Sequence, residues 1–202
     1  VCSSDLIRQR GIVEAEDLPG TKASPRISLW RGDITTLRCD AIVNAANSAL
    51  LGCWQPCHSC IDNIIHTLSG VQLRIRCNEI MEAQGHEEET GRAKITPAYN
   101  LPCKYVLHTV GPIISGSLRQ EDCDLLAGCY RSCLELAAEY GLRSVAFCCI
   151  STGVFCFPQQ RAAKIAVETV QRFLEKGSPV EQVIFNVFTE RDLKIYEELL
   201  NG

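Results

Sequence analysis

The sequence predicts an α/β domain with helices on both faces of a mostly parallel sheet. Three observations carry that reading. Short, continuously apolar runs alternate with amphipathic stretches of helical spacing along most of the chain. The segments between successive runs are long enough to hold a helix, as parallel pairing requires. At 202 residues, 46% hydrophobic and 22% charged, the chain fits one packed domain of ordinary globular composition.

Residues 1–26 are polar and broken by Gly11, Pro19, Gly20 and Pro25. They read as a partly irregular leader with room for one short helix, and 27–202 as the domain proper. Ile27 to Trp30 reads as a short strand. Cys39 to Ala45 reads as a buried strand ending in small polar residues. Ile61, Ile64, Ile65 and Leu68, then Leu73, Ile75, Ile80 and Met81, follow helical spacing. Gly85 and Gly91 bound a loop. Two strands follow, Ala93 to Ala98 and Lys104 to Val110. Asp122 to Tyr140 is predicted as a helix, with Leu125, Leu126, Cys129, Cys133, Leu136 and Ala137 on one face and Gly141 as its stop. Ser144 to Ile150 is continuously apolar and reads as a central strand. Pro158 opens the next helix, at a position where proline is tolerated; it runs through Ala162, Ile165, Ala166, Val170 and Leu174 to Gly177. Gln182 to Phe188 is a strand, and Arg191 to Leu200 a closing helix.

Composition excludes several classes. No run approaches the roughly 18 apolar residues of a membrane span. The first residues show no basic–apolar–small export pattern, so a secretory signal is not expected. A net charge of -4 advertises no nucleic-acid surface, and a monomer is the default. The odd feature is 13 cysteines. Most sit in apolar runs such as Val145–Ile150, where a free thiol behaves as a small hydrophobe. The expectation is a reducing, cytoplasmic setting rather than a disulfide framework.

Ligands of such sheets bind beyond the carboxyl ends of the strands. Three loops there have unusual sequences: Asn44–Asp62, Thr109–Gly116 and Ile150–Pro158. Ser151-Thr152-Gly153-Val154-Phe155-Cys156-Phe157 has the small residues that let backbone amides approach a phosphate, ahead of a helix N-terminus. It is equally read as an ordinary tight turn. Asp33, in Gly32-Asp33-Ile34, either accepts from an adenine amino group or caps the following turn. Asn44 and Asn47 either contact sugar hydroxyls or shape a turn. The densest cluster is Cys53, Cys57, His58 and Cys60, leading into Asp62. Thiolate and imidazole suit zinc; a redox-active or simply cysteine-rich loop is the other reading. His108, inside an apolar strand, reads as a satisfied core residue. The acidic stretch His86 to Glu89 reads as solvated surface.

Taken together, four segments resemble those of the macrodomain family: Trp30 to Thr35, Asp40 to Asn47, His108 to Pro112 and Ser151 to Phe155. Their order and spacing agree, and the likeness runs from about residue 27 to the C-terminus. The resemblance implies a three-layer α/β/α sandwich around a mixed sheet, with ADP-ribose as ligand. By position, Asp33 would accept from the adenine amino group, Ile34 would line that pocket and Phe188 would stack on the base. Ser151, Thr152, Gly153, Val154 and Phe155 would wrap the pyrophosphate. Asn47 would contact the distal ribose, with Phe157 packed beside it.

One departure is informative. In place of the glycine-rich loop usual in MacroD-type hydrolases stands Pro56-Cys57-His58-Ser59-Cys60-Ile61-Asp62-Asn63. This resembles a zinc-dependent microbial subgroup associated with sirtuin-like ADP-ribosyltransferases, a lipoylated carrier protein and stress responses. It implies a hydrolase that removes ADP-ribose from mono-ADP-ribosylated proteins, with Asn47 and Asp62 as catalytic residues and a Cys–His–Cys zinc set. That set is placed on Cys53, His58 and Cys60. Cys57 is left out because it directly precedes His58 and adjacent side chains diverge. A non-catalytic ADP-ribose reader and a redox-sensing module are the alternatives.

Overall fold

The computed structural model describes residues 3–55 and 58–202. Among the described residues, eight strands and six α-helices follow one another in the order α1 Ser3–Arg10, β1 Val13–Glu14, β2 Ile27–Arg31, β3 Leu37–Arg38, β4 Ala41–Ala46, α2 Ile61–Ser69, α3 Val71–Gln84, β5 Ala93–Pro97, β6 Tyr105–Val110, α4 Gln120–Glu139, β7 Ser144–Phe147, α5 Gln159–Glu175, β8 Gln182–Val187 and α6 Glu190–Asn201. The main sheet has the order β2-β8-β7-β4-β6-β5. All its pairings are parallel except β5 against β6, so the sheet is mixed, with an antiparallel edge. Helices α4, α5 and α6 pack on one another, and α1, α2 and α3 form a second group. The result is the α/β/α arrangement expected from the alternation of elements.

Burial explains the strand sequences. Ala41 to Val43, Val145 to Phe147 and Val183 to Phe185 are at most 1% exposed, because a parallel strand between two helical layers has no solvent face. Tyr130 of α4 packs on Phe147 with ring centroids 4.9 Å apart, and Tyr196 of α6 on Phe185 at 5.0 Å. No helix among the described residues is long and apolar enough to cross a membrane.

Three local outcomes differ from the periodicity. The helical spacing over 61–81 is divided between α2 and α3, because Gly70 between them takes φ 98°, outside any helix. The apolar run after β7 leaves the ladder at Phe147; Cys148 and Ile150 remain buried by packing alone, so hydrophobicity there marks core rather than strand. Residues before Ile27 also fold onto the domain: Ile7 of α1 and Ala15 join the core, and β1 pairs in parallel with β3.

The carboxyl ends of β2, β4, β7 and β8 open toward one cleft. The segments that follow them supply its lining: Gly32 to Thr35, Asn47 with residues 58–62 of the next loop, Ser151 to Phe155, and Phe188. This is where such a topology places a ligand.

Candidate functional site

The cleft has a volume of about 800 Å³, within the range of small-molecule sites. One wall is the loop Ser151–Phe157. It closes on itself through Phe157 N–H to Ser151 O at 2.9 Å and Cys156 N–H to Gly153 O at 3.0 Å. Ser151 and Cys156 hold φ of 64° and 58°, a left-handed conformation that non-glycine residues adopt only where the surroundings impose it. Ser151, Thr152, Gly153, Val154 and Phe155 all line the cleft. The amides of Gly153, Val154 and Phe155 donate to no backbone acceptor among the described residues. Consecutive amides without a backbone acceptor are the raw material of an anion site. Phe157, expected beside the distal sugar, is 2% exposed and packs in the core directly behind this loop.

A second region joins Asp33, Ile34 and Phe188. Asp33 does cap the turn after β2: its Oδ1 accepts from Thr35 N–H at 3.0 Å and from the Thr35 hydroxyl at 2.5 Å. Its Oδ2 lies 2.8 Å from Arg10 Nη1. Arg10, from α1, also lines the cleft. No sequence signal marks Arg10, since it precedes every recognisable segment. Phe188 is 77% exposed at the cleft, a large apolar ring left in water unless something covers it.

The third region carries the titratable groups. Asn47, Cys53, His58, Cys60 and Asp62 all line the cleft. Asn47 Oδ1 accepts from Ala49 N–H at 3.1 Å, and its Nδ2 donates to Gly52 O at 3.0 Å and to Asp62 Oδ2 at 3.4 Å. Gly52, at φ 81°, sits where a Cβ would lie 2.9 Å from His66 Cγ, so both backbone and space call for glycine. Asp62 lies in the first turn of α2, where the helix dipole favours negative charge. It is 5% exposed, and burial lifts its carboxyl above the ordinary value, partly offset by the Asn44 hydrogen bond and the Arg74 charge. Arg74 in turn lies 4.5 Å over the Trp54 ring.

The donor atoms of Cys53, His58 and Cys60 lie within 4.8 Å of one another, with Cys53 Sγ 3.3 Å from His58 Nδ1. The three side chains are half-buried and open to the cleft. Burial, and then the neighbouring Cys53, push the Cys60 thiol up. While protonated, the thiols can share hydrogen bonds with the imidazole, as Cys53 does with His58; once the sulfurs ionise, the two thiolates call for a cation between them. This donor set fits a zinc ion with an open position. The exclusion of Cys57 lies outside the described residues. Every described cysteine is a free thiol, and most are buried.

Behind Asp62 lies a buried polar group that the sequence did not announce. Asn44, in mid-strand rather than at the cleft, is fully buried. It donates from Nδ2 to Asp62 Oδ1 at 2.8 Å and approaches His108 Nδ1 at 3.2 Å. His108 Nε2 lies 2.9 Å from Thr96 Oγ1, so this histidine is a satisfied core residue as expected. His66 is not: both its ring nitrogens are buried without a hydrogen-bond partner among the described residues, with Nε2 3.5 Å from Asp62 Oδ1. Burial pulls His66 down to about 4 and His108 to about 3. The acidic loop is also not wholly solvated: Glu88 is buried, with its carboxylate 2.9 Å from Lys94 Nζ.

The family profile described as Macro domain matches residues 43–166. A protein-ADP-ribose hydrolase of Treponema medium is 62% identical over 199 residues, 98% of this chain and 76% of that protein. A protein of the same name from Staphylococcus aureus strain MSSA476 is 55% identical over 199 residues, 98% of this chain and 74% of its own. The crystal structure of a Trypanosoma brucei macrodomain in complex with ADP-ribose superimposes with a TM-score of 0.80 at 36% identity, covering 98% of this chain and 86% of that one.

Proposed function

The chain belongs to the macrodomain family, and from that premise we propose that it binds ADP-ribose and hydrolyses the bond between the distal ribose C1″ and a modified protein. The observation that carries this reading is the convergence of Asn47, Asp62 and the Cys53–His58–Cys60 trio in one cleft, next to the unbonded amides of Gly153 to Phe155. A binding module needs the amides; it has no use for a buried carboxylate beside a metal-binding trio. The names of the two bacterial relatives support the same activity.

On this reading the pyrophosphate rests on the amides of Gly153, Val154 and Phe155, with charge-assisted hydrogen bonds supplying most of the hold. Phe188 covers the base and Ile34 lines its pocket. Asp33 Oδ2 accepts the adenine amino group, sharing that oxygen with Arg10. Asn47 fixes the distal ribose. The glycosidic bond breaks through an oxocarbenium-like state. A water oxygen forms the new bond at C1″ as the bond to the protein side chain breaks. Asp62 receives the water's proton and passes it to the departing side chain. A carboxyl lifted by burial is suited to that exchange near neutral pH. Cys53, His58 and Cys60 would hold the zinc. When bound, the ion supplies Lewis acidity and fixed positive charge at the cleft. The finer reading is reversal of sirtuin-type modification, with a lipoylated carrier protein as partner, in the cytoplasm and in stress responses.

Incubating the protein with a mono-ADP-ribosylated substrate, with and without a chelator, tests the proposal. Release of ADP-ribose that stops on chelation and returns with zinc is the expected result. Binding of ADP-ribose without release would leave a reader, and release indifferent to chelation would remove zinc from the reaction.

A further inference from the structure

We propose that Asn44 and His108 are positioning residues that fix the orientation of the Asp62 carboxylate through a directional hydrogen-bond chain ending at Thr96. The inference rests on the hydrolase reading for its catalytic consequence, but the chain itself is a matter of geometry. Asn44 and His108 are register partners on the neighbouring parallel strands β4 and β6. All four members are buried: Asn44 and His108 fully, Thr96 at 1% and Asp62 at 5% exposure.

The polarity of the chain is set by which atoms can donate. The Asn44 amide nitrogen has two hydrogens, and two acceptors lie within reach: Asp62 Oδ1 at 2.8 Å and His108 Nδ1 at 3.2 Å. His108 Nδ1 accepts only if it carries no proton, which places the ring proton on Nε2. Nε2 then donates to the Thr96 hydroxyl at 2.9 Å. Burial depresses His108 to about 3, so the ring stays neutral and the arrangement holds across the physiological range. The amide oxygen of Asn44 is left buried and unpartnered among the described residues. Reversing the amide would set its oxygen against the Asp62 carboxylate oxygen, a repulsion that no tautomer of His108 removes.

The consequence falls on Asp62. Its inner oxygen is held by Asn44, and its outer oxygen is reached by Asn47 Nδ2 at 3.4 Å on the cleft side. A carboxylate pinned at one oxygen presents the other in a fixed direction. His66 Nε2, 3.5 Å from the inner oxygen, makes no hydrogen bond that could replace the one from Asn44.

The test uses the full chain with three variants. Thr96→Val keeps the shape and removes the nearer partner of Nε2–H, leaving the Cys77 sulfur at 3.8 Å. His108→Leu removes the chain's centre. His108→Asn returns a polar group near the Nδ1 position. Turnover of a mono-ADP-ribosylated protein is expected to fall about 10- to 100-fold in His108→Leu, the scale of a misaligned catalytic group. A smaller fall is expected in Thr96→Val and partial recovery in His108→Asn. ADP-ribose affinity by calorimetry should stay within about twofold of the parent, a split between kcat and binding that a general loss of structure would not give. Imidazole nitrogen-15 resonances of the parent should show His108 protonated at Nε2. Protonation at Nδ1 would overturn the chain even if His108→Leu failed to fold. Unchanged kcat in folded His108→Leu, or parallel losses of affinity and kcat, would overturn the positioning role. A parent that binds ADP-ribose but shows no turnover refutes the hydrolase reading and with it the catalytic consequence, while the tautomer measurement still decides the chain.

Discussion

The loop Ser151–Phe157, through residues 151–155, and the loop after β4, through Asn47, Cys53, His58 and Cys60, line the same cleft, yet they are built from different materials. The first works with its backbone. Its left-handed residues and internal hydrogen bonds leave three amides without a backbone acceptor, and Val154 is 67% exposed. The second works with side chains: amide, thiol, imidazole and, at the helix behind it, a buried carboxylate. Backbone recognition tolerates changes of residue type as long as the turn survives. Side-chain chemistry does not, because each step depends on the donor atom a particular side chain carries.

That contrast can be broken in measurable ways. The largest effect is expected at Asp62. Asp62→Ala should reduce ADP-ribose release by about 10²- to 10⁴-fold, the range of a lost general base, with the nucleotide still bound in calorimetry. Next, Cys60→Ser should lower zinc content measured by elemental analysis and reduce turnover with it, since three protein ligands cannot spare one. Equal zinc in variant and parent would remove Cys60 from the ligand set.

A pH effect sharpens the side-chain half. His66 and His108 are held neutral by burial at about 4 and about 3, against an ordinary value of about 6.5. Below about pH 6.5 the unfolded chain takes up protons that the folded chain refuses. Stability is therefore fully present above that pH and falls as pH drops toward 4, by up to about 1.4 kcal/mol per unit for each histidine. Urea midpoints at pH 7 and pH 5 should differ accordingly, and His66→Gln should narrow the difference. In the backbone half the effects are small. Cys156→Gly should relieve the left-handed conformation and shift the thermal midpoint upward by the equivalent of about 0.5–1 kcal/mol. Val154→Ala should leave both kcat and ADP-ribose affinity within about twofold.

Much of this was legible before any coordinates. The alternation of apolar strands and amphipathic helices specified the layers, because burial on two faces and burial on one leave different periodicities. The residues of both cleft loops, and Asp33, were visible because short loops after strands carry unusual small, polar or soft-ligand residues, whereas Phe188 came from the family resemblance alone. How deeply Phe157 is buried was not legible, because an aromatic next to a loop looks the same in sequence whether it is exposed or in the core. Asp33 was read as either a cap or an adenine contact; its Oδ1 caps the turn while Oδ2 stays at the cleft, and a string of letters cannot divide two oxygens.

What the sequence determined by itself was local: spacing, turn chemistry and the density of thiols near residue 57. What only the tertiary structure decided was which distant residues share a hydrogen bond. Arg10 meets Asp33 across 23 positions, and Asn44 meets His108 across 64. Those contacts exist because β4 and β6 lie side by side and α1 packs near the cleft. Side-chain reach is a few ångströms in space, whereas the sequence records only distance along the chain. The chemistry of the cleft loops could therefore be read in order, but the support behind Asp62 appeared only when the sheet was assembled.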